Sequence, residues 1–190
     1  MKNNNIKILP YTNKYKADVQ NICLDTADKN AREFKRQKLL LSAYCDYYIE
    51  NEQENCFIAY DEKKEKAVGY ILCASDYKGY FKIFSKKYFS RSFDCGLDYI
   101  FESFCAMAVP SVFCKKYPAH LHIDILPEYQ GMKIGTHLME ELIKKLKDKN
   151  IKGVMLGVDI KNERAISFYK KCGFNIIAKS KSGLVMAEKL

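Results

Sequence analysis

Residues 120–136 read His-Leu-His-Ile-Asp-Ile-Leu-Pro-Glu-Tyr-Gln-Gly-Met-Lys-Ile-Gly-Thr. An apolar strand ends at Pro127, a turn follows, and an amphipathic helix opens at Ile134. Such a junction leaves the first N–H groups of the helix without backbone partners. Together with the positive end of the helix dipole they attract phosphate. Gly131 and Gly135 permit close backbone approach, and Lys133 adds a cation. A pyrophosphate fits over residues 131–136; a simple strand-to-helix loop is the competing reading. The stretch has no G-x-x-x-x-G-K-[ST], which excludes a P-loop, and no G-x-G-x-x-G, so a Rossmann dinucleotide site is not expected.

Side chains alternate along the strand, so His120, His122, Asp124 and Leu126 share one face, and Leu121, Ile123 and Ile125 the other. Two histidines and an aspartate on one face of an apolar strand are candidates for proton handling, directly or through water, with Asp124 fixing a histidine tautomer. A hydrogen-bonded structural network competes with that reading.

Working outward, Ile134 to about Lys149 is a helix whose stripe is Ile134, Leu138, Leu142 and Leu146. A strand over Val154–Val158 follows. Asn162 is an N-cap for a helix over Glu163–Cys172, with Gly173 as its stop. Phe174–Ala178 and Leu184–Ala187 close the chain as strands. In the first half, Ile6–Leu9 is a strand. Helices are expected from Lys14 to about Ala27 and from about Lys38 to Glu50. Cys56–Tyr60 and Ala67–Ala74 form a hairpin across a charged turn. Residues 76–118 carry 12 of the 25 aromatics, too aromatic for a loop. They read as two helical pieces, about 79–90 and 96–107, that either wall an aromatic pocket or extend the core. Strands alternating with helices, with hairpins at both ends, predict an α/β (α+β) fold: a mixed, mostly antiparallel central sheet with helices on both faces and this inserted segment.

At 190 residues one domain over 1–190 is expected. No run of 18 apolar residues exists, and the start, Met1-Lys2-Asn3-Asn4-Asn5, has no apolar signal core, so a cytoplasmic protein without a membrane span is expected. The eight cysteines form no C-x-x-C pair and sit in apolar segments. That predicts buried thiols in a reducing compartment and no metal site. The net charge of +9 comes from lysines dispersed over helix faces, such as Lys144, Lys145, Lys147 and Lys149. With no recognition motif, nucleic acid is not expected as a partner.

Two runs carry a family resemblance. Leu126–Met139, with Gln130 first and Gly135 last in a [RQ]-x-x-G-x-[GA] pattern, resembles the acetyl-CoA motif of GNAT-superfamily N-acetyltransferases. Asn162-Glu163-Arg164-Ala165-Ile166-Ser167-Phe168-Tyr169-Lys170-Lys171-Cys172-Gly173-Phe174 resembles the family's second signature, N-x-x-A-x-x-F-Y-x-x-x-G-F. Lys133 stands where the family's fourth motif position is glycine.

The resemblance implies a GNAT-like fold and acetyl-CoA (CoA) as cofactor. It implies direct acetyl transfer to a small-molecule or peptide amine in a ternary complex, and it leaves room for a homodimer. Cofactor contacts fall to Ile125, Leu126, Gln130, Gly131, Met132, Lys133, Ile134, Gly135, Thr136, Asn162, Phe168 and Tyr169. A backbone N–H near Leu126 polarises the thioester carbonyl in a gap between strands 121–126 and 154–158. Tyr169 is the acid toward the thiolate; core packing is its alternative. Deprotonating an amine of pKa about 10 at pH 7 costs roughly 4 kcal/mol, so a base is expected in His120 or His122, with Asp124 alongside. His120-Leu121-His122 looks like the paired histidines of arylalkylamine N-acetyltransferases. Tyr117–Pro127, with Ile22–Asp28, looks like bacterial relatives of the acetyltransferase-like domain of O-GlcNAcase. That domain is regarded as non-catalytic, so a module that only binds acetyl-CoA or CoA is the alternative function.

Overall fold

The computed structural model describes residues 5–27, 34–88, 90, 111–181 and 183–190. Among them, seven strands form one sheet in the order β1-β2-β3-β4-β5-β7-β6. They are β1 Ile6–Pro10, β2 Phe57–Asp61, β3 Lys66–Ala74, β4 Ala119–Ile125, β5 Gly153–Asp159, β6 Asn175–Lys179 and β7 Gly183–Lys189. Every neighbouring pair is antiparallel except β4 and β5. The mixed, mostly antiparallel sheet is as expected from the sequence.

The parallel pair is the short one. Only Ala119 with Val154 and His120 with Met155 are in register; beyond them β4 and β5 part. Each leans instead on its other neighbour, β4 on β3 from His120 to Ile125 and β5 on β7 along its whole length. A wedge-shaped gap therefore opens in the middle of the sheet, with backbone edges as its walls.

Helices cover both faces. On the side of His120, His122 and Asp124 lie α1 (Lys16–Thr26) and a rod made of α2 (Phe34–Leu41), a π-helical turn (Ser42–Asp46) and α3 (Tyr47–Asn51). The rod runs on unbroken, with αR geometry at Leu41 and Tyr47, where the sequence predicted a helix over about 38–50. The Ser42 hydroxyl donates to the Lys38 carbonyl at 2.6 Å. It competes there with the backbone donor for an i−4 acceptor, which accounts for the looser turn. Next comes α4 (Tyr77–Lys87), capped by Asp76, whose side chain accepts from the Lys78 and Gly79 N–H groups. It is the first of the two expected helical pieces. The second, about 96–107, lies outside the described residues, as does Asp28.

The opposite face belongs to α5 (Ile134–Asp148), which lies against β1 to β4. Its stripe of Ile134, Leu138, Leu142 and Leu146 is buried, as the periodicity predicts. The sixth helix, α6 (Glu163–Lys171), packs Phe168 against the start of α5. The described cysteines are free thiols, and among the described residues no helix is long and apolar enough to cross a membrane.

Candidate active site

The loop from β4 to α5 is anchored at each step. The Leu126 N–H donates to the Val68 carbonyl at 3.0 Å. The Tyr129 hydroxyl donates to Asp61 Oδ2 at 2.7 Å, and the Gln130 side-chain amide to the Ile125 carbonyl at 3.0 Å. Gln130 thus holds the loop to the end of β4.

The Leu126 bond also decides which donors face the gap. It makes Val68 and Leu126 a hydrogen-bonded pair, and antiparallel alternation then turns the N–H groups of Ile123 and Ile125 away from β3, toward β5. The Leu126 N–H, near which a carbonyl-polarising donor was expected, is committed to the sheet; the N–H groups of Ile125 and, deeper, Ile123 are the ones on the side of the gap.

Gly131 (φ 85°) and Lys133 (φ 62°) both take the left-handed conformation. A Cβ on Gly131 would meet nothing within 4 Å. The backbone at 133 therefore keeps the form that glycine favours, although the residue is lysine, with its side chain exposed. Lys133 is also the N-cap residue of α5, without a side-chain cap and with no acid in the first turn. By contrast α4 and α6 are capped by Asp76 and Asn162. The leading N–H groups of α5 are left for an anion. Met132 and Thr136 are exposed beside them, while the Ile134 side chain is core and has only its backbone to offer. Because left-handed geometry costs a β-carbon-bearing residue about 1 kcal/mol, Lys133→Gly is expected to stabilise the fold by about that much, a rise of roughly 3 °C in Tm. A thermal melt checks it.

The polar face of β4 lies under the aromatic residues of the rod and α4. His120 is buried at 7% exposure, with ring centroids of Tyr80, Tyr77 and Tyr48 at 4.4, 4.9 and 5.4 Å. Its Nε2 shares a 2.6 Å hydrogen bond with the Tyr48 hydroxyl, and its Nδ1 is buried with no partner among the described residues. His122 is half-buried, edge-on to Tyr44 at 4.9 Å and Tyr48 at 5.2 Å. Burial, and for His120 also the neighbouring His122, pushes both imidazoles down, His120 far below its ordinary value and His122 to about 4. Both are neutral at pH 7. His122 is the one of the pair that solvent reaches.

Asp124 does not orient a histidine. Its Oδ2 accepts from the Tyr70 hydroxyl at 2.5 Å, and Tyr70 is its register partner on β3. The correction is geometric: histidines two and four residues back on the same strand lie along the face, while Tyr70 lies directly opposite. Burial raises the Asp124 carboxyl, and the Tyr70 and Thr26 side chains partly offset this.

Across the gap, Tyr169 of α6 is 8% exposed, its ring held by Phe168 and Phe174 at 5.4 and 6.0 Å. Burial first, and then the charge of Asp124, push its phenol up, so it keeps its proton. Asn162 caps α6, its Oδ1 accepting from the Ala165 N–H at 3.0 Å, and so positions Phe168 and Tyr169. Phe168 lies over Gly135, where a Cβ would come within 3.1 Å of its ring.

Sequence reasoning reached Tyr80 only as part of the aromatic segment 76–118, and missed Tyr44, Tyr48, Tyr70 and Thr26. A signal existed for some: Tyr44 and Tyr48 stand four apart, and Tyr77, Tyr80, Phe84 and Tyr88 make a helical stripe.

The depressed histidines carry a pH signature. Neutral in the fold, they take up protons on unfolding once pH drops below about 6.5. Stability should therefore fall from pH 6.5 toward 5 by about 1 kcal/mol per pH unit on average for each, steepening toward about 1.4 at the acid end. Asp124, raised in the fold, acts in the opposite sense. The difference between wild type and His122→Asn cancels its effect: the variant should lose about one histidine's share of the slope in denaturant titrations. Equal slopes would mean that His122 is not held neutral.

The sheet thus holds a gap walled by strand backbone, and the helix that follows β4 starts without a side-chain cap. The chain belongs to the acetyltransferase (GNAT) family, whose model matches residues 22–174. The acyl donor of that family is acetyl-CoA. A stretch of 52 residues is 42% identical to the mycothiol acetyltransferase of Paenarthrobacter aurescens (strain TC1); it covers 27% of this chain and 16% of that relative. The fold matches the crystal structure of SsHAT, with TM-score 0.83 and 24% identity over 97% of this chain and 98% of that one. It also matches the PaiA N-acetyltransferase from Thermoplasma acidophilum in complex with coenzyme A, with TM-score 0.60 and 18% identity over 97% and 99%. The residues in place suit acetyl-CoA: the open backbone at Gly131, the uncapped start of α5 and the free edges of β4 and β5.

Proposed function

We propose that this protein transfers an acetyl group from acetyl-CoA directly to an amine, both held at once across the gap. The observation that supports this reading is the two-pair register of β4 and β5, which opens a gap beside the backbone edge of β4. Bound acetyl-CoA supplies an activated acetyl thioester. The N–H groups of residues 131–136, with Lys133, hold its pyrophosphate, and the Ile125 or Ile123 N–H polarises the thioester carbonyl. Gln130, Asn162 and Phe168 keep the loop and α6 in place around it.

As the C–N bond forms and the C–S bond breaks, Tyr169 gives its phenolic proton to the departing sulfur. It takes a proton from the acylated nitrogen in return. The first proton of the amine leaves over the polar face of β4, where His122, with its low proton affinity, passes it on through water, and His120 behind it fixes the wall. The run Tyr117–Pro127 supports kinship with the bacterial relatives of the O-GlcNAcase acetyltransferase-like domain.

The test is thiol release from acetyl-CoA over a panel of primary amines, run beside a thermal shift with acetyl-CoA. Thiol release dependent on one amine class is expected. Stabilisation by acetyl-CoA without release on any amine would instead identify a binding module.

A further inference from the structure

Asp61 is a buried acid at the end of β2. Its Oδ1 accepts from the Lys63 and Lys64 N–H groups at 2.9 and 3.3 Å, so the β2–β3 turn closes on its side chain. Its Oδ2 takes the Tyr129 hydroxyl at 2.7 Å, across 68 positions of chain. The Tyr129 ring is buried as well, with Lys64 Nζ 5.0 Å from its centroid. One carboxylate therefore joins the hairpin turn to the residue just before Gln130. The Tyr129 hydroxyl first, with the Lys63 and Lys64 N–H groups behind it, holds the Asp61 carboxyl below the ordinary carboxylate range against the opposing effect of burial. It is an anion at pH 7, and a hydrogen bond to an anion is stronger than one between neutral groups. A second tie runs beside it, from the Leu126 N–H to the Val68 carbonyl of β3. Leu126 and Tyr129 bound the short 3-10 turn Pro127–Tyr129. Both ends of that turn are thus tied to one hairpin, and the N–H groups of residues 131–136 follow directly from it.

We propose that Asp61 is a positioning residue for the pyrophosphate end of the cofactor. Through Tyr129 it sets where the N–H groups of residues 131–136 stand relative to the gap. Those groups can then meet the pyrophosphate while the thioester lies between β4 and β5. This rests on the reading of the loop as the acetyl-CoA site. The bond holds the loop before the ligand arrives, so binding does not have to order it. Without it the loop keeps the ties of Leu126 and Gln130, both close to the end of β4, and the far end of the 3-10 turn is released. The consequence is selective. A donor that carries a pyrophosphate depends on the loop, and a donor with only the pantetheine arm depends on the strand edges.

The experiment compares acetyl-CoA with acetylpantetheine, which has the same thioester and no pyrophosphate. It uses wild type, Tyr129→Phe, Asp61→Ala and Asp61→Asn, with an amine that wild type acetylates. Tyr129→Phe keeps the ring and removes only the hydroxyl. The ratio of kcat/KM for acetyl-CoA to that for acetylpantetheine should fall about 10-fold in Tyr129→Phe and Asp61→Ala. The loss should lie in the KM for acetyl-CoA, with kcat within about 2-fold. Asp61→Asn keeps both ties, its amide donating to the Tyr129 oxygen, and should hold the ratio within about 3-fold. A purely structural role would lower both donors together, so an unchanged ratio in Tyr129→Phe overturns the assignment.

Calorimetry with CoA, well below the melting temperature of each protein, needs no turnover of either donor. Affinity should fall about 10-fold in Tyr129→Phe, and equal affinity refutes the assignment. If wild type binds CoA but releases no thiol on any amine, the acetyl-transfer reading falls and the same titration still decides the role of Asp61. Failure of wild type to bind CoA refutes both.

Discussion

Replacing Gly135 with tryptophan is expected to abolish acetyl-CoA binding, a loss of more than about 100-fold in affinity, or roughly 2.7 kcal/mol. Gly135 lies in the first turn of α5, where a Cβ would already come within 3.1 Å of the Phe168 ring and 3.4 Å of Ile125 Cδ1. Those neighbours belong to α6 and to the end of β4, the two sides of the opening. An indole there forces the start of α5 away from both and carries the N–H groups of residues 131–136 with it. Gly135→Ala separates binding from stability. Alanine gains up to about 1 kcal/mol in helix propensity, against a small shift of Phe168. Its melting temperature should hold while its acetyl-CoA affinity declines. Calorimetric titration of both variants checks this. Undiminished binding by Gly135→Trp would remove the β4–α5 loop from the cofactor site.

The loop was legible in the sequence because its chemistry is local. The strand, the proline break, the paired glycines and the stripe from Ile134 to Leu146 lie within thirty residues, and each is dictated by its neighbours along the chain. The same holds for the cap at Asn162 and the stop at Gly173. The polar face of β4 was legible only as a face. What its members touch is decided by chain that returns from far away: Tyr48 reaches His120 across 72 positions, and Tyr70 reaches Asp124 across 54. Alternation put His122 and Asp124 on one side and so suggested that they paired. The sheet register instead set Asp124 against a tyrosine on the next strand. The free backbone donor was likewise hidden, since its direction follows from the Leu126–Val68 bond and not from residue type. At Lys133 the residue departs from the family pattern while the backbone keeps the conformation of the glycine it replaces.

Tyr169→Phe should lower kcat by about 100-fold, the low end for a lost proton donor because a thiolate is a good leaving group even unassisted. Acetyl-CoA affinity should stay within about 3-fold. The variant is a clean one: the ring contacts with Phe168 and Phe174 remain. Among the described residues nothing hydrogen-bonds the hydroxyl, so its removal strands no partner. Stability should be unchanged or slightly raised. Burial and the Asp124 charge keep the phenol protonated throughout the working range of pH, so no titration of Tyr169 should appear in the wild-type rate profile. An acceptor-independent readout sharpens the test. If Tyr169 protonates sulfur, the rate defect of the phenylalanine variant should shrink with an acyl donor whose thiol is more acidic than that of CoA, because such a sulfur departs without help. A defect of equal size with both donors, or turnover unchanged with acetyl-CoA, would assign Tyr169 to packing and leave the departing sulfur to solvent.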